Sequence, residues 1–236
     1  MSIEFELPAL EDESRKARQT TIGGRVYDSV RRAIVQLRFR PGNPLSEAEI
    51  GRQLGVSRQP VREAFIKLSE EGMLEIRPQR GTFVRLISIR EVQNARFLRE
   101  AIEVAIVRKA SAEADAGHLT AIAASVEGQR AVAKSSDNVE FLRLDDAFHQ
   151  TIARSADCDD AWRVLEHLKA QMDRVRYLSL PNATPLDIII EQHVQILEAL
   201  ERRDAAGAEA AMRAHLSEVL TSLPKLAAEH PSFFVE

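Results

Sequence analysis

Residues 55–68, GVSRQPVREAFIKL, decide how the first third of the chain folds. Val61, Ala64, Phe65 and Leu68 recur at helical spacing and make one apolar face. Arg58, Gln59 and Arg62 lie off that face, near the N-terminal end, and Arg58 and Arg62 are surface neighbours four residues apart. Ser57 suits the N-cap. Backbone N–H groups at a helix start can meet phosphate. Two arginines there can fork onto guanine edges or clamp phosphates, and Gln59 can read adenine or bridge to phosphate. The pattern predicts a helix built to enter a DNA groove.

The flanks agree with that reading. Upstream, Val26, Val30, Ile34 and Leu37 predict a helix from about Gly24 to the breaker run RPGNP at 40–44. Ser46 and Glu49 have capping-box spacing and open a short helix that buries Ile50 and Leu54. Gly55 suits the left-handed residue that ends it, and Val56 can fold back onto it. Downstream, Gly72 stops the recognition helix. Residues 74–77 and 82–86 are β-type runs around Pro78, Gln79, Arg80 and Gly81, which predicts a hairpin. Arg77, Arg80 and Arg85 put positive charge on that wing, and Gly81 allows close backbone approach. Residues 21–87 therefore predict a winged helix-turn-helix domain, preceded by a mobile arm over 1–20.

From residue 88 to 236 the pattern is helical, with no convincing strand. Six stretches stand out: 89–115, 118–134, 137–155, 159–179, 185–203 and 205–228. They are punctuated at Gly117, at Ser135, Ser136 and Asp137, at 157–160, at 181–185 and at Asp204. All are amphipathic, so an antiparallel bundle of about six helices is the natural way to bury them. The expected fold class is mainly α, with a small β-hairpin wing.

Composition sets the outer limits. The chain has 236 residues, 44% apolar and 29% charged, enough for ordinary cores; aromatics at 5% favour helices over sheets. One cysteine, Cys158, excludes an internal disulfide framework and a Cys-rich zinc finger. No apolar run approaches the roughly 20 residues of a membrane span, and the acidic start lacks the basic-then-apolar pattern of a secretory signal. A cytoplasmic protein without a membrane partner is expected. Charge is uneven: residues 14–90 carry 16 basic against 7 acidic groups, whereas residues 91–236 carry 16 against 24. One part suits a polyanion and the other does not.

The acidic part contains a second motif. Asp145 and His149, four apart on one predicted helix, share a face. His193 lies 10 residues before Arg203 and His215 lies 11 after Asp204. At about 1.5 Å per residue, each sits roughly 15 Å from the turn of a helical hairpin. The two can then face each other at one height. One carboxylate and three imidazoles can hold Zn²⁺, Ni²⁺ or Mn²⁺ with a position left open for ligand. Arg143, Arg174 and Tyr177 are further candidates for lining such a cavity. His118, His167 and His230 have no comparable arrangement.

The stretch PLSEAEIGRQLGVSRQPVREAFIKLSEEGMLEIRPQRGTFV resembles the DNA-binding domain of GntR-family transcription regulators across nearly all of residues 24–86. The resemblance implies a recognition helix in the major groove, with Arg58, Gln59 and Arg62 as its contacts. It also implies a wing tip at Arg80 and Gly81, and Ser46 and Ser57 as caps that face phosphate. Many members have Thr at the position of Gln59. LREAIE (98–103), LDDAFHQTIA (144–153), EQHVQILEAL (191–200) and AMRAHL (211–216) resemble the FCD effector domain. That resemblance puts Asp145, His149, His193 and His215 on divalent-metal positions and Arg99 on an arginine that binds a small carboxylate; the spacing of Arg99 and Glu103 alternatively predicts an i,i+4 salt bridge. Members often have Gly-Asn where this chain has Ala156 and Asp157. Six helices would suit the shorter, VanR-like branch.

The expected function is a non-enzymatic, metabolite-responsive repressor, homodimeric, on an inverted-repeat DNA operator. Its cofactor is a divalent metal, with Zn expected ahead of Ni or Mn. Two alternatives differ in class. In one, the metal only stiffens a DNA-binding regulator. In the other, the site is a metal-dependent enzyme acting on a small carboxylate; no HExxH motif and no evident general base support it.

Overall fold

A computed structural model describes Leu7 and residues 21–135, 137–180 and 185–236. The other residues of the expected arm, and the punctuation read at Ser136 and at 181–184, lie outside the described residues. The chain divides into two compact units. One holds the residues up to Ser88 together with 230–236; the other is Ile89–Glu229. The last seven residues, expected with the helical domain, thus belong with the first unit.

In the first unit, α1 (Ile22–Val35) is capped by Thr21, whose hydroxyl accepts from Gly24 N. A two-residue strand β1 (Pro44–Leu45) leads into α2 (Glu47–Leu54). Ser46 Oγ accepts from Glu49 N at 3.4 Å, so the predicted cap forms. Gly55 ends α2 at φ +66°, and Val56 N bonds back to Gly51 O. A Cβ on Gly51 would lie 2.9 Å from Val56 O, so this helix-turn-helix corner needs glycine for close approach. The recognition helix α3 (Arg58–Glu70) buries Val61, Ala64, Phe65 and Leu68 as its spacing predicted. Strands β2 (Leu74–Arg77) and β3 (Gly81–Val84) pair antiparallel, with Arg77 opposite Gly81. Strand β1 adds to β3, giving the order β1-β3-β2. It was invisible in the sequence because Pro44 reads as a breaker; a proline is tolerated on such an edge strand.

A second small sheet was also unexpected. β4 (Ile87–Ser88) pairs in parallel with β5 (Phe234–Val235). Two residues are too short for a periodic signal, so the expectation of no strand after residue 88 fails at the chain's end.

The second unit packs α4 (Ile89–Glu113), α5 (Ala116–Ala133), α6 (Asn138–Ser155), α7 (Asp159–Leu168), α8 (Ala170–Ser179), α9 (Leu186–Glu201) and α10 (Ala205–Glu229). Its core runs through Val107, Phe141, Phe148, Ile152, Trp162, Ile196 and Met212. The stretch 159–179, expected as one helix, is broken at Lys169. No glycine or proline marks the break. Instead Lys169 is buried, and its ammonium reaches Asp146 at 2.6 Å and Asp173 at 3.4 Å. Among the described residues this unit therefore has seven helices, and the count of six that favoured a VanR-like branch gives it no support. Asp157 takes the left-handed conformation at φ +51° between α6 and α7, a geometry that short polar side chains tolerate.

Candidate functional site: a buried centre of three histidines and an aspartate, and an exposed DNA-reading helix

Asp145 and His149 come from α6, His193 from α9 and His215 from α10. All four are buried, and one ligand atom from each lies within 4.8 Å of all the others. The three imidazoles meet through their Nε2 atoms. His149 Nε2 and His215 Nε2 are 3.0 Å apart, and His193 Nε2 and His215 Nε2 are 3.3 Å apart.

Neighbouring groups decide which nitrogen carries the proton. Gln129 on α5 donates its Nε2 to the Leu144 carbonyl at 3.2 Å, which leaves its Oε1 facing His193 Nδ1 at 2.7 Å. Gln192 donates to Glu218 at 3.1 Å and presents Oε1 to His215 Nδ1, also at 3.1 Å. A carboxylate lies 2.5 Å from His149 Nδ1: Glu103 Oε2, on α4. That contact is close, though outside hydrogen-bond alignment. All three Nδ1 atoms thus face acceptors, which favours the tautomer whose Nε2 lone pair points into the cluster.

Burial pushes His193 down to about 3; Asp145 opposes this, while His149 and Arg176 add to it. Burial also holds His215 well below 6.5, with His193 and His149 adding to the effect. These two rings are therefore neutral at pH 7, and converging lone pairs without a proton call for a cation. The donor set fits a divalent metal. Asp145 completes it: its Oδ1 lies 3.6 Å from His193 Nε2, while Oδ2 is paired with Arg176. Burial alone would raise the Asp145 carboxyl, but Arg176 and the imidazoles bring it below its ordinary range. Each ligand thus has its own orienting partner, as metal sites require.

A cavity of about 40 Å³ adjoins the centre, room for a few heavy atoms. Its polar lining is Arg99, Asp145, Arg176, Ser179, His215 and Glu218. Its apolar lining is Phe141, Leu142, Leu180, Ile189, Leu216 and Val219. Arg99, singled out from the sequence, is buried and gives its Nε to Glu103. Its Nη2 has no partner among the described residues.

Arg176 was missed. It pairs with Asp145 and reaches Asp146 and Asp173, each at 3.1 Å. Neither Arg143, Arg174 nor Tyr177 lines this cavity. Arg143 is exposed and pairs with Glu140; Arg174 is fully buried and bonded to Gln171. The missed arginine lies two positions beyond the candidate in α8, which is about 200° around a helix.

The first unit shows the opposite character. Arg58, Gln59 and Arg62 are all exposed on α3, and Arg80 and Gly81 are exposed at the wing tip. Gly81 has φ +101° and Gln79 φ +60°, so the tip is a tight turn. Gln59 is tethered to Glu63 at 2.9 Å. Ser57 occupies the N-cap but makes no side-chain capping bond. The other wing arginines are engaged: Arg77 pairs with Glu75 at 2.8 Å, and Arg85 donates to the Gly72 carbonyl at 3.3 Å.

A winged helix-turn-helix with an exposed basic recognition helix, joined to a helical unit with a buried His/Asp centre, defines a ligand-responsive class of DNA-binding regulators. Comparison with known proteins agrees. Residues 22–84 match the model of bacterial regulatory proteins of the gntR family, and residues 95–218 match the FCD domain. The HTH-type transcriptional repressor RspR of Escherichia coli K12 is 41% identical over 91% of this chain and 94% of its own. The Nta operon transcriptional regulator of Aminobacter aminovorans is 28% identical over 77% of this chain and 85% of its own. Among solved structures, E. coli McbR/YncC superposes with a TM-score of 0.76 at 19% identity, covering 90% of this chain and all of that one; it shows the same fold. The chain belongs to the GntR family and carries an FCD domain. It is a DNA-binding transcription regulator, not an enzyme. Among the described residues, no helix is long and apolar enough to cross a membrane.

Proposed function

We propose that this regulator is a metabolite-responsive, cytoplasmic repressor whose helical unit binds one divalent metal and a small carboxylate. The observation that carries the metal is the meeting of three Nε2 lone pairs beside Asp145 in a buried pocket. Zn²⁺ is the expected ion, because it favours imidazole and carboxylate in a compact four-ligand set and can expand to take a further donor. The metal would be held by Asp145, His149, His193 and His215. When bound, it supplies a Lewis-acidic position for a ligand oxygen. Arg99, with Nη2 unpartnered on the same cavity, supplies the charge-assisted hydrogen bond that selects a carboxylate. The small cavity favours an acid of few heavy atoms.

Arg58, Gln59 and Arg62 read bases, Arg80 and Gly81 approach the backbone at the wing, and Ser46 and Ser57 face phosphate. Repression is supported by the name of the 41% identical relative. A homodimer on an inverted repeat follows from twofold DNA recognition. The face we assign to the second copy is on α4, where Phe97 is 66% exposed and Leu98 41% exposed. Acid binding must favour one dimer geometry over the other in order to release DNA.

The test is a thermal-shift screen against small carboxylic acids, with and without a chelator, followed by operator binding with each hit. The proposal expects a stabilising acid whose effect disappears with the metal and which weakens DNA binding. A chelator effect with no acid response would leave a structural metal. No response to either would refute the site.

A further inference from the structure

We propose that Glu103 is a positioning residue that couples the metal ligand His149 to the carboxylate-binding Arg99. This rests on the metal and carboxylate reading above. Glu103 is buried, and its two oxygens are divided between those two partners. Oε1 accepts from Arg99 Nε; Oε2 lies 2.5 Å from His149 Nδ1. Arg99 and Glu103 are four apart on α4, so one helical face presents both.

The other two imidazoles are treated differently. His193 and His215 rest on the neutral amide oxygens of Gln129 and Gln192. Only His149 is backed by a full negative charge. A carboxylate behind an imidazole makes the far nitrogen a stronger donor than an amide does. His149 is therefore the ligand whose strength depends on how Glu103 is shared.

Arg99 sets that share. While its guanidinium leans on Glu103 alone, it draws charge away from His149. When a second carboxylate occupies Arg99 Nη2, the guanidinium is divided between two anions and Glu103 turns more fully to the imidazole. Acid binding then tightens metal binding, and by linkage metal tightens acid by the same factor. This path acts in addition to any direct contact between acid and metal.

The prediction can be read with Zn²⁺ alone, by chelator competition, with Co²⁺ absorption as the spectroscopic report on the ligand field. Glu103→Gln lowers Zn²⁺ affinity about 10–100-fold and shifts the Co²⁺ bands. Arg99→Gln, which touches no metal ligand, raises Zn²⁺ affinity several-fold when Glu103 is present. Arg99→Gln has a clearly smaller effect in a Glu103→Gln background, so the pair is non-additive. Arg99→Lys keeps the charge and leaves Zn²⁺ affinity near wild type. If Glu103→Gln fails to fold, a shift of the Co²⁺ bands in Arg99→Gln that is absent in Arg99→Lys decides the matter. Additive effects, or equal affinity for Arg99→Gln and Arg99→Lys, overturn the coupling while leaving the metal site intact. Failure of the wild-type chain to bind Zn²⁺ or Co²⁺ removes the metal reading and this inference with it.

Discussion

The two functional regions solve opposite problems. The side chains proposed to read DNA, Arg58, Arg62 and Arg80, are exposed and have no partner among the described residues, so their charge is free for a polyanion. The centre in the helical unit buries Asp145, His149, His193 and His215 and gives each one an orienting partner. A surface that must accept many phosphates keeps its donors solvated. A site that must hold one small cation excludes water and fixes its donors beforehand. Mutations should therefore separate the regions: surface changes cost DNA binding without stability, and buried changes cost metal binding and stability.

The largest effect is expected at the centre. His193→Ala removes a ligand and should lower Zn²⁺ affinity by at least about 100-fold, more than loss of an orienting partner does. Chelator competition measures this, and operator affinity of the metal-free protein should change little. Acid comes next. In metal-free protein His193 and His215 are neutral when folded, because their folded values lie below 6.5. Unfolding lets them take up protons once the pH is below 6.5, so the unfolded state binds more protons there. Stability should be flat above that value and fall as pH drops below 6.5, for His193 down to about 3, by roughly 1 kcal/mol per pH unit. Thermal melts against pH read this directly, and an acid-independent melting temperature would contradict the neutral rings.

On the exposed side, Arg62→Ala should weaken operator binding by about 1–3 kcal/mol with an unchanged melting temperature. Equal loss on operator and random duplexes would make Arg62 a phosphate contact and not a base reader. The smallest contrast is between two serines. Ser46 caps α2 and Ser57 makes no capping bond. Ser46→Ala should cost about 0.5–1 kcal/mol of stability, and Ser57→Ala less. If Ser57 faces phosphate, its loss appears only as weaker DNA binding.

The same contrast explains what the sequence disclosed. The proposed DNA-reading region lies within residues 55–81, and its turn, caps, helix and wing are local patterns. The clustering of the four candidate ligands was legible for a different reason. Asp145 and His149 share a helix face, and His193 and His215 stand at matching distances from one turn. Their supports were not legible. Gln129, Gln192 and Arg176 act across helix interfaces, as Glu103 does towards His149, and no spacing within a helix states the register between helices; only the Arg99–Glu103 pair, four apart on α4, was legible. Arg174 and Arg176 are equally basic in the sequence; only packing decides which one meets Asp145. The break at Lys169 and the strand at Phe234–Val235 failed for a related reason, since each depends on a distant partner.

The most direct test of the central claim is X-ray absorption at the zinc edge on protein dialysed against Zn²⁺. One ion per chain is expected, with an imidazole-rich nitrogen and oxygen shell at about 2.0–2.2 Å that is lost in His193→Ala. No retained zinc, or a shell without imidazole scattering, would contradict a metal centre at Asp145, His149, His193 and His215.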